Sequence, residues 1–565
     1  MIRNIGKLSD QEYDLVVIGG GIFGACAAWD AVLRGLKVAL IEKDDFCQAT
    51  SANHFKMIHG GMRYLQHLDI KRVRESSRER SVLLKTAPHL ATPLPIIMPT
   101  YGHGMRGKEI LKTGLFLYEL MTFDRNKGIN DPARQIPRSS FLSKEEMLKE
   151  YPGLDKKNLT GGVVFYDGQI YNPPRLVLSY IRAAVKQGLE TANYVEAINY
   201  IISGNRVQGV VARDTLSGDK FEIRSKIVLN ASGPWAHKLN KSILQKYSGQ
   251  LPSFSRDLVI VVPKKLSEKY AFAHVVKTRD NDAVFDRGGR HIFIVPWRQY
   301  SLIGVWHQVF DRNPEEITVK DEELQNFLNE INKIYNKVDL TVNDVSMVNT
   351  GLILFGMQKN QNGNLKHSFG KRSMLIDHYR EDNLEGLFTL IGVRATVARQ
   401  DAQDVLDIIQ KRLAQKTKSS KTGVTPIYGG NIDNFEEYVR QAESETQFSL
   451  NSDLLRSLIH NYGSEYLEVL SYAKGDPSLG EEIDGRGIIK AEVTHAVREE
   501  MALKLQDVIF RRTELGTGEN PGQEALNICS ELMGNELQWS REKISNEVNE
   551  VLDIFSRRGP WRVSQ

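Results

Sequence analysis

Residues 13–42, YDLVVIGGGIFGACAAWDAVLRGLKVALIE, restrict the fold more than any other stretch of this chain. The β-branched run 14–18 stops at Gly19-Gly20-Gly21, which predicts a buried parallel strand entering a tight turn. Gly19, Gly21 and Gly24 stand in the G-x-G-x-x-G spacing. In that spacing the first glycine makes the turn, the second lets backbone approach a pyrophosphate, and the third lets a helix pack close to the strand. Phosphates would sit at the N-terminus of a helix starting near Ile22, where free N–H groups and the helix dipole favour negative charge. Residues 37–41 read as a second buried strand. Glu42 ends it, placed to accept hydrogen bonds from ribose hydroxyls and to disfavour a 2′-phosphate. Glycine turns are common, so the spacing alone says little; flanked by two strands and a terminal acid it indicates a site for NAD or FAD and not for NADP.

With 565 residues and 41% hydrophobic content, the chain can build two or three domains around a large core. A net charge of +4 is mild for this length and gives no warrant for nucleic-acid binding. Cys26, Cys47 and Cys529 form no C-x-x-C pair, which argues against a disulfide framework or a zinc site and suits a reducing, cytoplasmic compartment; no metal is expected. No uninterrupted apolar run reaches the roughly 18 residues a spanning helix needs, so the sequence predicts neither a membrane span nor a secretory signal and leaves peripheral membrane contact open.

Beyond Glu42, small and polar residues lead to His59-Gly60-Gly61, a pattern that suits either backbone pressed against a flat ligand or an ordinary turn. The charged run 71–80 is expected to be a solvated helix face. Residues 105–126 predict an amphipathic helix with a basic edge, facing a core or a membrane surface. A helix over 175–186 precedes alternating stretches at 194–202, 206–212 and 221–229, an antiparallel meander. It runs into Asn230-Ala231-Ser232-Gly233-Pro234-Trp235, a second small-residue turn that a doubly wound sheet would set beside the first. Strands at 258–262 and 292–295, with Pro296-Trp297 and residues 301–304 after them, predict a separate sheet covering the substrate. Residues 387–396 return to the strand-turn-helix form, with a helix N-terminus from Thr396 aimed at the sheet edge. A polar linker at 416–423 leads to a region, beyond about residue 434, that is helical and has no catalytic motif of its own.

These stretches together resemble the FAD-dependent glycerol-3-phosphate dehydrogenases, within the D-amino-acid-oxidase-like flavoproteins. The matching segments are VVIGGGIFGA, KMIHGGMRYLQH, LLKTAPHL, LNASGPW, IVPW and EVTHAVREEMALKLQDVIFRRT, in that order over most of the chain. IHGGMRYL and VREEMALKLQDVIFRRT are far more diagnostic than the glycine fingerprint. The resemblance implies an α/β fold: an FAD-binding Rossmann-like domain of glutathione-reductase type, an antiparallel substrate-capping sheet and a helical C-terminal domain. The expected layout interleaves the FAD domain and cap over 1–412, with the cap mainly at 100–160 and 245–350, then a linker at 413–433 and the helical domain at 434–565. Gly19, Gly21, Gly24 and Glu42 are expected to hold the adenosine diphosphate half of FAD, with Thr50, Ser51 and Lys56 near its middle. His59, Gly60 and Gly61 would run along the flavin, Ala231, Ser232 and Gly233 would back the pyrophosphate, and Gly392, Arg394 and Thr396 would face the flavin pyrimidine edge.

The substrate site departs from the family. Its G-V-R-P-L arginine, which contacts substrate, falls on Ile353; its histidine in the strand at 258–262 falls on Val259; T-T-D becomes Val305-Trp306-His307; and G-G-K-L-T-T-Y-R becomes residues 392–399, with Arg394 and Arg399 kept and the tyrosine lost near Val397. Losing a bidentate arginine removes charge-assisted hydrogen bonds of about 1.5–3 kcal/mol each. Arg63 and Arg394 could still clamp a phosphate or carboxylate beside Tyr64, and His59 and His307 are the candidate bases. The expected function is hydride transfer from a small hydroxylated, anionic substrate to flavin N5, with glycerol 3-phosphate as the narrow form and CH–NH oxidation as a variant. Two alternatives stand beside it: a divergent flavoenzyme acting on another alcohol or amine in a specialised pathway, and a flavin-binding subunit whose catalytic groups have decayed. Quinone or oxygen would accept the electrons; a homodimer is left open.

Overall fold

The computed structural model describes residues 1–65, 69–103, 108–244, 253–275, 291–335, 338–359, 365–369, 372–414, 418–445 and 450–559. The chain starts with the expected crossover: β1 (Glu12–Ile18), α1 (Ile22–Leu33) and β2 (Val38–Ile41). Next come β3 (Met57–Ile58), α2 (Ile70–Thr86), β4 (Ala91–Tyr101), α3 (Lys108–Met121), β5 (Ser140–Leu142), β6 (Leu159–Ile170) and α4 (Pro173–Lys186). The meander is β7 (Glu190–Ala192), β8 (Val195–Ser203), β9 (Arg206–Asp214) and β10 (Lys220–Asn230). It is followed by β11 (Phe254–Val262), β12 (Ala271–Val275), β13 (His291–Trp297), β14 (Tyr300–Phe310), α5 (Asp321–Ile334), β15 (Met347–Lys359) and β16 (Leu365–Phe369). β17 (Met374–Asp377), β18 (Leu387–Ile391) and α6 (Ala398–Arg412) complete the sheet-bearing part.

Two sheets result. The first has the order β17-β18-β10-β1-β2-β7, with β8 and β9 attached through β10; β18, β10, β1, β2 and β7 run parallel. Parallel strands must be covered on both faces, and β1 shows how. Leu15 and Val17 enter the core shared with α1, α4 and α6, while Val16 and Ile18 enter another with residues of β8 to β10. The second sheet, order β16-β15-β11-β14-β13-β12-β4-β6-β3 with β5 on β6, is antiparallel apart from the β4–β12 pair. Its strands come from residues 57–170 as well as 254–369. Along β11 the side chains alternate: Leu258, Ile260 and Val262 pack under α5, and Val259 and Val261 face Phe55 and Met57 on the other side. Pro296-Trp297 completes β13, and residues 301–304 belong to β14, the next strand of the same sheet.

The expectation of a solvated helix at 71–80 is corrected. α2 buries Val73, Ser76, Ser77, Glu79 and Arg80, because Arg80 pairs with Asp167 of β6 and Glu79 with Arg399 of α6. Charge density alone does not show which charges find partners across the fold. Of the helix expected at 105–126, residues 105–107 lie outside the described set and Lys108–Met121 forms α3, which is amphipathic as expected: Leu115 and Tyr118 are buried, whereas Phe116, Leu120 and the following Phe123 are exposed.

Past α6, residues 415–417 lie outside the described set, and with them part of the linker expected at 416–423. The described stretch that follows lies against the body: Thr422 accepts from Arg399, and Ile427, Tyr428 and Ile432 are buried. The C-terminal helices are α7 (Phe435–Glu445), α8 (Ser452–Tyr462), α9 (Tyr466–Gly475), α10 (Lys490–Glu500), α11 (Gln523–Leu537) and α12 (Arg541–Arg558), with a π-helical turn at Val508–Arg512. α10, α11, α12 and the π-helical turn share one core with the second sheet, in which Ile509, Phe510, Val551 and Phe555 join Trp297 and Tyr300, while α7, α8 and α9 pack in a separate core around Phe435, Leu458 and Val469.

Candidate functional site

Between the two sheets lies a cavity of about 1970 Å³. One end is built by the first crossover. Gly19 adopts a left-handed φ of 109°, and a Cβ on Gly24 would stand 1.9 Å from the Gly19 carbonyl oxygen, so only glycine lets α1 approach β1 this closely. Gly21 is the N-cap of α1 and offers no side-chain cap; Ser51 Oγ accepts the Ile22 N–H at 3.0 Å. The Glu42 carboxylate accepts from the N–H groups of Gly20 (2.7 Å) and Asp44 (3.1 Å). Burial, with Asp44 alongside, pushes its carboxyl up to about 7. Beside it the Lys43 ammonium lies 4.5 Å over the Trp235 ring, and Ala231, Ser232 and Gly233 line the wall next to Gly19.

A buried hydrogen-bonded chain fixes that wall. Asp382 holds His378, His378 meets Thr389, Asn240 donates to Thr389 and accepts from Asn230, and Asn230 Oδ1 accepts the N–H and hydroxyl of Ser232. Thr50 ties the cavity floor to the cap: its hydroxyl donates to the Leu352 carbonyl and accepts the Leu352 N–H.

At the other end, the His59 N–H donates to Thr396 Oγ1, and its half-exposed ring sets Nδ1 3.4 Å from Asp167. Asp167 is largely engaged elsewhere, by the Gly60 N–H at 2.6 Å and by Arg80 at 3.1 Å. Arg394 lies over the Tyr64 ring and donates to Ser76, with Glu75 at 3.4 Å. From the cap, Val259, Phe293, His307 and Ile353 line the same cavity.

Gly19, Gly21, Glu42, Thr50, Ser51, His59, Gly61, Tyr64, Ala231, Ser232, Gly233, His307, Gly392, Arg394 and Thr396 therefore converge on one cavity. Other expected residues do not line it. Gly24 works from beneath. Gly60 is glycine because a Cβ would meet Arg80 Nη1 at 2.1 Å and Tyr118 Oη at 2.4 Å, a reason neither expected reading included. Lys56 is a correction: its ammonium lies 4.5 Å over the Trp297 ring and lines a small separate cavity with Asn349 and Arg558. Burial, with Arg298 and Arg558 near it, pulls that ammonium down to about 7. Arg399 is likewise withdrawn, in its buried pair with Glu79. The Arg63 side chain lies outside the described set.

Sequence reasoning missed two features. Asp257 faces His307 from β11; the only signal was one acid alternating inward along an apolar strand. The C-terminal helices were read as chemically silent, yet Phe510, Arg511 and Arg558 line the cavity, and Arg511 and Arg512 grip Asp45, three residues beyond Glu42. Two adjacent arginines inside the apolar VIFRRT run marked that site, but not its partner.

The groups present fit a flavin dinucleotide: a helix N-terminus to which its own N-cap, Gly21, adds no side chain, for phosphates, a carboxylate for ribose, and a helix N-terminal turn with Arg394 at the far end. The family model described as FAD dependent oxidoreductase matches residues 14–353, and that of the C-terminal domain of alpha-glycerophosphate oxidase matches residues 420–544. Glycerol-3-phosphate dehydrogenase of Synechocystis is 31% identical, with 98% of each chain covered. The mitochondrial glycerol-3-phosphate dehydrogenase of Macaca fascicularis is 32% identical over 94% of this chain and 72% of its own. The crystal structure of glycerol-3-phosphate dehydrogenase from Bacillus halodurans complexed with FAD superposes with a TM-score of 0.75 at 23% identity, covering 99% of this chain and 98% of that one.

Proposed function

The chain belongs to the FAD-dependent oxidoreductases of the glycerol-3-phosphate dehydrogenase family, with FAD as its cofactor, and from that premise we propose that it oxidises a small hydroxylated anion, glycerol 3-phosphate in the narrowest form, to the corresponding ketone. Bound FAD supplies the hydride acceptor at its N5. This chain's residues do the rest. Gly19, Gly21, Glu42, Ser51 and Ser232 would hold the dinucleotide half, and Thr396 with Arg394 the pyrimidine edge. Arg394 binds the substrate anion: Glu75, at 3.4 Å, compensates its charge only partly. The second cation expected for the clamp, Arg63, has its side chain outside the described set. The cap excludes water from this space and orients the hydroxyl. The observation that carries the reading is that one cavity unites the dinucleotide cradle with Arg394 and Tyr64 beneath a capping sheet.

Ile353 and Val259 face this cavity where family members carry arginine and histidine, and that favours a second reading in which the substrate is another alcohol or an amine. Anaerobic mixing of the flavin-loaded protein with glycerol 3-phosphate separates them. Bleaching of the visible flavin bands is expected; an unbleached spectrum removes the narrow form, and a panel of hydroxy acids, polyol phosphates and amines then finds the substrate. Bound flavin that no substrate bleaches would support the decayed-subunit alternative. Stopped-flow reoxidation by oxygen against a quinone analogue identifies the electron acceptor.

Among the described residues no helix is long and apolar enough to cross a membrane. The exposed Phe116, Leu120 and Phe123, beside Lys112 of α3, support peripheral contact with a lipid surface. Phe116→Ser with Leu120→Ser should then lower the fraction that co-sediments with anionic vesicles; unchanged co-sedimentation would refute the contact.

A further inference from the structure

Oxidising a hydroxyl by hydride loss requires a group that takes the O–H proton. Three histidines line the cavity; His54, whose Nδ1 accepts the Lys56 N–H and whose ring burial pulls down to about 3, is too weak a base, which leaves His59 and His307. They differ in what stands behind them. The His59 ring meets Asp167 only at 3.4 Å, and that carboxylate already accepts from Gly60 and Arg80. The His307 ring meets Asp257 at 2.6 Å, and the Asp257 carboxylate accepts otherwise from the Ser255 hydroxyl at 2.8 Å, with no cation paired to it among the described residues. The shorter contact, to a carboxylate no cation competes for, is the stronger charge-assisted bond.

The register of the cap explains why this pair faces the cavity. Asp257 stands opposite His307 across β11 and β14 and opposite Gly351 across β11 and β15. Gly351 rests on the floor, where an added Cβ would lie 2.8 Å from Thr50 Cγ2. Asp257 shares its face of β11 with Val259, two residues on, and both line the cavity together with His307 and Ile353. A carboxylate can only accept, so the hydrogen of the 2.6 Å contact sits on Nδ1, and Nε2 carries the basic lone pair.

We propose that His307 is the general base of this enzyme and Asp257 its positioning residue, a histidine–aspartate dyad carried on two adjacent cap strands that stands in for the family histidine replaced by Val259. The inference rests on the reading of the protein as a hydroxyl-oxidising flavoenzyme. The substrate O–H bond breaks and its proton goes to His307 Nε2. The O–H electron pair becomes the second bond of the C=O group, and the C–H pair departs as hydride to the oxidant, which is FAD by class. The imidazolium then returns its proton to solvent, and Asp257 stabilises its charge meanwhile.

The test uses the flavin-loaded enzyme with wild-type, His307→Ala, His307→Gln and Asp257→Asn chains. The histidine variants should keep their flavin absorbance and melting temperature but lose about 10²–10⁴-fold in the anaerobic flavin-reduction rate at saturating substrate. Added imidazole should restore His307→Ala and not His307→Gln, whose side chain fills the space. Asp257→Asn should retain bound flavin and substrate KM while the rate falls. A readout independent of turnover is the proton NMR of histidine-labelled enzyme, which should show a far-downfield Nδ1–H that disappears in Asp257→Asn. Undiminished flavin reduction in His307→Ala, or a loss that imidazole does not restore, overturns the assignment; so does the absence of the downfield proton in the wild type. Wild-type flavin that glycerol 3-phosphate leaves unbleached refutes the narrow substrate instead, and the same variants are then run on the panel compound that does bleach it.

Discussion

Asp45→Asn should unlock the C-terminal helices from the cofactor site. The Asp45 side chain is fully buried and accepts from Arg511 Nε at 2.5 Å, Arg512 Nη1 and Nη2 at 2.7 Å and Asn193 Nδ2 at 2.9 Å. Burial raises its carboxyl, but Arg512 and Arg511 outweigh burial and hold it down at about 2, against an ordinary 3.8. That depression alone corresponds to roughly 2 kcal/mol. Asparagine also leaves two buried guanidiniums with Asp507, bonded to Arg511, and the more distant Glu500 as counter-charges, and breaking a buried pair in this way costs about 3–5 kcal/mol. The larger figure should dominate. Because the folded value is depressed, the stabilisation is present above the unfolded value near 3.8 and is lost as pH falls through about 2. The gap between wild type and Asp45→Asn should therefore be constant from about pH 5 to 8 and narrow in acid. Urea titration followed by circular dichroism and flavin fluorescence measures it, with earlier flavin release expected because Asp45 and Glu42 share one loop. A companion Arg512→Gln and the double variant should reveal coupling of more than about 1 kcal/mol. A loss below about 1 kcal/mol at pH 7, or a gap that does not change in acid, would refute this account of the clamp.

Gly24→Ala would set a methyl group 1.9 Å from the Gly19 carbonyl, so the protein should purify without yellow flavin bands if it folds at all. FAD affinity, measured by titration calorimetry, should be flat above about pH 7 and fall by up to about tenfold per unit below it. Ribose hydroxyls favour the ionised Glu42, whose free carboxyl lies at about 7; Glu42→Gln should flatten the curve. Lys56→Met should stabilise the fold by roughly 2–4 kcal/mol at pH 7 and retain FAD. The Lys56 ammonium, lowered to about 7, costs stability fully below that pH, and the cost disappears as pH rises through its unfolded value near 10.5. Thermal melts at pH 7 and 10 decide it, and a destabilised or colourless Lys56→Met would contradict the placement of this lysine away from the cofactor.

Local rules reached far in the first crossover. Residues 14–42 had to become strand, turn, helix and strand, because three glycines at fixed spacing and two apolar runs leave no other arrangement that buries them. The pairing of the Gly19 turn with Ala231 and Ser232 followed from two strand ends carrying small residues. The charged helix α2 was misjudged for the opposite reason: the partners of Glu79 and Arg80, Arg399 and Asp167, lie far along the sequence and carry no local mark.

The sequence by itself determined the cofactor class and the doubly wound sheet, since each follows from residue types at fixed spacing within one crossover. Tertiary structure alone decided which charges reach the cavity and which are paired away from it. It withdrew Lys56 and Arg399 from the cavity, kept Arg394 in it, brought Arg511 and Arg512 onto Asp45, and set Asp257 against His307. A charged group's role depends on the dielectric and the counter-charge around it, and those come from strand register and from residues hundreds of positions away.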